Sequence, residues 1–285
     1  MIVVLVTGCS SGLGKALARA FHRHTTWAGK SSRFKVYATA RRLETIADLE
    51  REGMQGVQLD VTDEGSIQTA VDRVVREVGR IDVLMCNAGI GALAPLIEQD
   101  RSEIQAVLDT NMWGPLLCAQ AVAPGMIRQR SGRMAVVGSI AGNIGFPFNG
   151  PYCASKAAVA RLFDALRLEL APFNISVCVL EGASFKSKLL KSIPDPGRYT
   201  MQGSLYCKAE GALSGFKKYD TSKAASSDEV AQVIVNKLCS KGGLAPRFVV
   251  GSQAWLVQLF VFLNLLVPNF IHKQFLSHFG LNQKW

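Results

Sequence analysis

Ile2-Val3-Val4-Leu5-Val6-Thr7-Gly8-Cys9-Ser10-Ser11-Gly12-Leu13-Gly14-Lys15-Ala16-Leu17-Ala18 joins an apolar run, a glycine-rich turn and the start of a helix-like segment. Five consecutive Val/Ile/Leu residues read as a strand buried on both faces. Glycines let a backbone approach a pyrophosphate, and a following helix aims unpaired N–H groups and its positive dipole end at the same point. The spacing is Gly-x-x-x-Gly-x-Gly, with the strand before it and the helix after it that a dinucleotide fingerprint requires. Gly8, Ser10, Ser11, Gly12 and Gly14 are the candidate phosphate cradle.

The same alternation continues along the chain. Lys35–Thr39, Gly56–Leu59, Ile81–Cys86, Met134–Val137 and Ile175–Leu180 are short and apolar, and Glu64–Val78 and Arg101–Ile127 between them are amphipathic. Repeated strand–helix units with right-handed crossovers predict an α/β fold: a doubly wound, Rossmann-like parallel sheet with helices on both faces. The expected organisation is one catalytic domain over 1–285, with a substrate lid at 184–226 and an apolar, helical C-terminal extension at 252–285.

Strand ends carry the chemistry. The second strand stops at Ala40-Arg41-Arg42. NAD-preferring folds usually place an acidic residue there, whereas Arg41 and Arg42 suit a 2′-phosphate, or else form a solvated basic turn. Asp60 is placed to accept from an adenine amino group, or equally to cap the helix that begins near Asp63. Asn87, in Cys86-Asn87-Ala88-Gly89, ends the fourth strand beside the ligand crevice. Asn111 interrupts an apolar helix, where it needs partners as a structural hydrogen bonder or as the holder of a proton-passing water.

The stretch Ser139 to Lys156 supplies the reactive groups. Asn149-Gly150-Pro151 starts a helix of about twenty residues that Pro172 closes. Tyr152 and Lys156 then share one helix face. An ammonium one turn away favours the phenolate and brings a tyrosine towards its working range. Ser139, at a strand tip, can hold a carbonyl or alcohol oxygen. Taken alone, Tyr-x-x-x-Lys is an ordinary surface pair; a hydride carrier at the glycine-rich turn gives it a reaction.

Charge and cysteine use narrow the function classes. Net charge is +10, and from Gly182 onward 13 Lys/Arg face 5 Asp/Glu. That bias suits a nucleotide phosphate or an anionic membrane surface. No basic stripe interleaved with aromatics points to nucleic acid. Seven scattered cysteines (9, 86, 118, 153, 178, 207, 239), without a C-x-x-C pair or a His cluster, read as reduced core thiols, no metal site and a cytosol-facing location. The apolar start reads as a buried strand and not as a signal peptide.

In this order, TGCSSGLG, NAG, Asn111, Ser139 and Tyr152-Cys-Ala-Ser-Lys156 resemble the short-chain dehydrogenase/reductase family across roughly residues 2–182. FKVYATARR, DVLMCNAGIGALAPL and GFPFNGPYCASK are similar to the branch holding estradiol 17β-dehydrogenase type 1 and the photoreceptor retinol dehydrogenases. The resemblance implies Tyr152 as acid/base, Lys156 lowering its pKa and binding the nicotinamide ribose, Ser139 orienting the substrate oxygen and Asn111 completing a proton relay. It implies NADP(H), with Arg41 at the arginine position of NADP-preferring relatives and Asp60 and Asn87 at the adenosine half. A homodimer is implied as well. The chain departs from the pattern at Glu181-Gly182-Ala183-Ser184-Phe185-Lys186-Ser187, where the family usually has a Pro-Gly pair and a threonine. Ser187 is the stand-in for that threonine.

On the substrate side, Ile90, Leu93, Leu96, Ile144, Phe146 and Phe148 favour a lipophilic alcohol or carbonyl, steroid- or retinoid-like. Ala254–Ile271 is the most apolar stretch, and Gln258, Asn264 and Pro268 interrupt it. It reads as a helix over the entrance or against a partner, as an interfacial helix giving peripheral membrane contact, or as a span. His272 and His278 behind it read as surface residues. A broad carbonyl or lipid-intermediate reductase, an NADP(H)-sensing protein without turnover and a membrane-surface scaffold are the rival readings.

Overall fold

The computed structural model describes residues 1–183, 185, 186, 189, 196–199, 201–207, 224–241, 244–252 and 259. Most of the expected lid, with Ser184 and Ser187, lies outside the described residues, as do Ala254–Ile271 apart from Leu259, and both His272 and His278.

Seven strands form one parallel sheet: β1 (Ile2–Val6), β2 (Phe34–Ala40), β3 (Gln55–Gln58), β4 (Val83–Cys86), β5 (Gly132–Ser139), β6 (Ile175–Gly182) and β7 (Arg247–Val250). Their order is β3-β2-β1-β4-β5-β6-β7. β1 pairs on one side with β2 (Ile2 opposite Phe34) and on the other with β4 (Val4 opposite Val83), so the winding reverses at its C-terminal end. Ligands bind such sheets in the crevice opened by that reversal. The Rossmann-like architecture is the one the sequence predicts.

Among the described residues the helices are α1 (Gly12–Arg23), the short α2 (Ala47–Arg51), α3 (Glu64–Val78), α4 (Arg101–Leu108), α5 (Gly114–Gln129), α6 (Gly150–Leu170) and α7 (Ser227–Cys239). Alternate residues of β1 serve opposite faces, as the period-2 pleat dictates. Val4 and Val6 pack with Leu17 and Phe21 of α1 and with Ile234, Val235 and Leu238 of α7. Val3 and Leu5 pack with Ile67 and Val74 of α3, Val122 and Met126 of α5, and Phe163 of α6.

The structure corrects several local expectations. Arg101–Ile127 is not one continuous α-helix, because the wider turn Asp109–Trp113 separates α4 from α5. Pro115 lacks the N–H that an α-helix would send to the Asn111 carbonyl, and the π-type turn absorbs the break. The cap of α3 is Asp63, whose Oδ1 accepts from Ser66 N at 3.1 Å; Asp60 Oδ1 instead accepts from Thr62 N and Oγ1. Asn149 precedes α6 without capping it through its side chain: its φ −123° and ψ 23° depart from the extended geometry that aims a capping oxygen at the first turn. Cys207 is exposed and not a core thiol.

β7 and the two-residue ribbon Thr26–Trp27/Lys30–Ser31 are additions to the expected elements. Among the described residues β7 is a four-residue edge strand paired only with β6. Among the described residues no helix is long and apolar enough to cross a membrane.

α6 is held to the sheet by an aromatic side chain, since Phe163 is 1% exposed beneath the strands. Phe163→Ala is expected to destabilise the protein by about 3–5 kcal/mol, the range for a truncated core aromatic. Urea unfolding followed by far-UV circular dichroism measures it.

Candidate active site

A cavity of about 630 Å³ opens at the C-terminal ends of β1, β2, β4, β5 and β6. One wall is the β1–α1 turn. Gly8 and Gly12 have φ of +71° and +56°, a region that an L side chain resists. A Cβ on Gly8 would stand 2.8 Å from Ala88 Cα, and one on Gly14 would drive into the Gly8 carbonyl and the Asn87 amide. The turn is built for contact without side chains. Gly8, Ser10, Ser11, Gly12 and Gly14 all line the cavity, with the N-terminus of α1 directed at it.

Hydrogen bonds lock this turn to the end of β4. Thr7 Oγ1 accepts from Asn87 N at 2.9 Å and from Ala88 N at 3.1 Å. Asn87 Nδ2 donates back to the carbonyls of Thr7 (3.0 Å) and Gly8 (3.2 Å). Thr7 is buried, and its clamp role went unassigned in the sequence, although the Thr-Gly pair after a strand was the available signal.

The expected nucleotide contacts are arranged around the same rim. Arg41 and Asp60 line the cavity, and Asn87 does too. Arg42 does not; its backbone carbonyl accepts from Thr45 N and Oγ1 in the adjoining 3₁₀ turn.

Tyr152, Lys156 and Ser139 line the cavity's inner end. Lys156 Nζ donates to the Val137 carbonyl at 2.8 Å and lies 5.6 Å from the Tyr152 ring centroid. Burial lowers the Lys156 amine to about 8. Burial also raises the Tyr152 phenol to about 12, while a hydrogen bond with Ser139 pulls it back. The direction for Tyr152 is thus opposite to the expected lowering by Lys156. The amine is turned to a carbonyl, and desolvation dominates at the phenol.

Asn111 is fully buried one layer behind, at the π-type turn. Its Oδ1 accepts from Ile90 N at 2.8 Å, and its Nδ2 donates to Ile90 O at 2.8 Å and Ser155 Oγ at 3.1 Å. Ser155 Oγ donates in turn to the Tyr152 carbonyl at 2.7 Å. A Cβ on Gly89 would lie 3.2 Å from Asn111 Oδ1 and 3.7 Å from Lys156 Nζ, so these three meet. Ser155 was not singled out in the sequence, although it sits inside the Tyr-Cys-Ala-Ser-Lys motif.

The departing segment supplies Gly182, Ala183 and Phe185 to the lining, and Leu189 and Ile90 join them. Leu93 and Phe148 are buried, whereas Leu96 is exposed.

Residues 2–196 match the family model described as short chain dehydrogenase. The chain belongs to the short-chain dehydrogenase family. It is 36% identical over 249 residues to human 17-beta-hydroxysteroid dehydrogenase type 1, covering 83% of this chain and 74% of that one. It is 37% identical over 189 residues to the NADPH-dependent 1-acyldihydroxyacetone phosphate reductase of Schizosaccharomyces pombe, covering 65% of this chain and 60% of the relative. A short-chain dehydrogenase structure from Streptomyces avermitilis matches with a TM-score of 0.78 at 26% identity, over 96% of each chain. Membership of the short-chain dehydrogenase family makes the chain an oxidoreductase of alcohol and carbonyl groups.

The buried Lys156 gives this short-chain dehydrogenase a pH signature. Its folded value of about 8 lies below the ordinary 10.5, so between those values the unfolded chain binds more protons and stability rises with pH. Below pH 8 the full cost of burying the charge is present, on the order of 3 kcal/mol. Lys156→Met is expected to stabilise the protein at pH 7 and to lose most of that advantage by pH 10.5, read from urea midpoints across that range.

Proposed function

We propose that this protein interconverts a lipophilic alcohol and its carbonyl, with NADP(H) as hydride carrier and Tyr152 as acid/base. The observation that carries the reading is one cavity lined at one end by the glycine turn and at the other by Ser139, Tyr152 and Lys156.

The residues present fit a dinucleotide: the turn at Gly8 and Gly14 has no room for a Cβ, and a helix N-terminus faces the cavity beside it. Gly8, Ser10, Ser11, Gly12 and Gly14 would hold the phosphates, with Asp60 and Asn87 at the adenosine half. Arg41 would hold a 2′-phosphate bidentately, with Arg42 adding only charge. Bound there, NADP(H) gives or takes the hydride.

In the reductive direction Tyr152 delivers its proton to the substrate oxygen, which Ser139 orients. A phenol held at about 12 carries its proton at neutral pH, as a weaker acid than a free tyrosine. Lys156, charged below about 8, stabilises the phenolate left behind and reaches the nicotinamide ribose. Asn111 holds the Ile90 loop to Ser155 of α6, and through them supports the proton path to Lys156. Ile90, Phe185 and Leu189 give the inner end an apolar wall suited to a steroid- or retinoid-like body. The name of the human relative agrees with that substrate class; the name of the fission-yeast relative supports the second reading, reduction of a lipid intermediate. A sensor without turnover would have no use for a tyrosine placed beside Ser139.

The test is a panel of a 17-ketosteroid, retinal and an aromatic aldehyde with NADPH or NADH, followed at the nicotinamide absorbance. Tyr152→Phe is expected to lower kcat at least about 100-fold, the scale of a lost general acid; unchanged turnover would remove the mechanism. Arg41→Glu is expected to raise the KM for NADPH about tenfold or more while leaving that for NADH within about twofold, by loss of one charge-assisted contact. Equal effects on the two coenzymes would count against the 2′-phosphate assignment.

A further inference from the structure

The chain departs from its family's pattern at Glu181-Gly182-Ala183, and the proposed reaction gives Glu181 no part. Its Oε1 nevertheless accepts two hydrogen bonds, from Arg247 Nη1 at 2.8 Å and from Asn143 Nδ2 at 3.2 Å. Arg247 also donates from Nε to Asp164 Oδ1 at 3.2 Å and from Nη2 to Asp164 Oδ2. The side chains of Glu181, Arg247 and Asp164 are only 14%, 25% and 24% exposed, so solvent screens these links less than it would a surface pair.

Asn143 closes the 3₁₀ turn Ile140–Gly142 that directly follows Ser139. Within that turn the Ser139 Oγ accepts from Ala141 N at 3.1 Å, and Asn143 N donates to Ile140 O at 2.9 Å. On the far side the turn lies flush against α6: a Cβ on Gly142 would stand 2.9 Å from the Lys156 carbonyl and 3.0 Å from Ala157 N. Among the described residues, the Asn143–Glu181 bond is the one hydrogen bond tying residues 140–143 to another element.

These contacts make a closed circuit. It runs from Asp164 on α6 to Arg247 on β7, to Glu181 on β6, to Asn143, and through Gly142 back to α6 at Lys156. The circuit includes the turn that Ser139 begins, and ties that turn to the helix that carries Tyr152.

We infer that Glu181, anchored by Arg247, is a positioning residue that sets the Ser139 turn through Asn143. The inference rests on the reading of Ser139 and Tyr152 given above. Arg247 lies beyond residue 196, where the family match ends, so a part of the chain outside the match braces the reactive groups inside it. An arginine fits this place because its planar fork reaches two carboxylates at once, which a lysine's point charge does not do.

The experiment uses the full chain, NADPH and a 17-ketosteroid, with an aromatic aldehyde as second probe. Asn143→Ala leaves every ion pair intact. It is expected to lower kcat roughly tenfold, short of the hundredfold that a displacement of about 1 Å can cost. The NADPH Kd, read by nicotinamide fluorescence, stays within about twofold, and the Tm within about 3 °C. Glu181→Ala lowers kcat at least as far, and adding Asn143→Ala to it costs nothing more, because the two act through one contact. Tyr152→Phe is run alongside. If it turns over like the wild type, the reading of the tyrosine falls and takes this inference with it. If it is inactive while Asn143→Ala keeps wild-type kcat, or loses kcat, NADPH affinity and Tm together, the inference alone is overturned. Additive losses in the double variant overturn it as well.

Discussion

The site rests on the close approach of the β1–α1 turn to the end of β4. Gly8 sits against Ala88 with no room for a Cβ, and Gly14 against Gly8 and Asn87. Thr7 and Asn87 exchange four hydrogen bonds across the gap, counting those to Ala88 and Gly8. Two strands adjacent in the sheet but about eighty residues apart are thereby joined at their tips, at the point where the winding reverses. The cavity exists because the helices after β1 and β4 leave the sheet in opposite directions there. The turn's glycines and the strand order are two aspects of one arrangement.

The reactive end depends on burial of groups that resist it. Lys156 is buried on the Val137 carbonyl, and Asn111 spends its amide on Ile90 and Ser155. A buried polar group without partners costs about 1–3 kcal/mol, so each of these bonds also defines where its neighbour must lie. The result is a tyrosine whose own acidity is suppressed by its surroundings and whose partner lysine is close to losing its proton. Two groups whose values are pushed apart in this way take different roles, the phenol keeping its proton and the amine close to giving one up.

Much of the fold was legible because parallel strands buried on both faces leave unmistakable apolar runs, and each of the six expected strands is found within a few residues of its place. The elements that were missed share a physical cause. Arg247–Val250 is an edge strand, short and only half-buried, and its pairing with β6 is a long-range fact with no local signature. The break at Asp109–Trp113 was encoded by Pro115, but a proline near a glycine inside an apolar helix pattern reads equally as a mild kink. The cradle, the Tyr152–Lys156 spacing and the strand-tip serine were readable from short-range pattern. The Thr7–Asn87 lock, the place of Ser155 and the bridging by Arg247 were not, since each depends on which strands become neighbours.

What the amino-acid order determined by itself was the alternation of strand and helix, the glycine turn after the first strand, and a tyrosine and lysine on one helical face. Periodicity and steric permission act over a few residues, so they can be read from a few residues. Only the tertiary structure decided that Arg41 and not Arg42 faces the cavity, that the lysine turns to a carbonyl, and that burial moves the tyrosine up and not down. Those outcomes follow from desolvation and from contacts between residues far apart in sequence, and both quantities come into being only when the sheet closes around them.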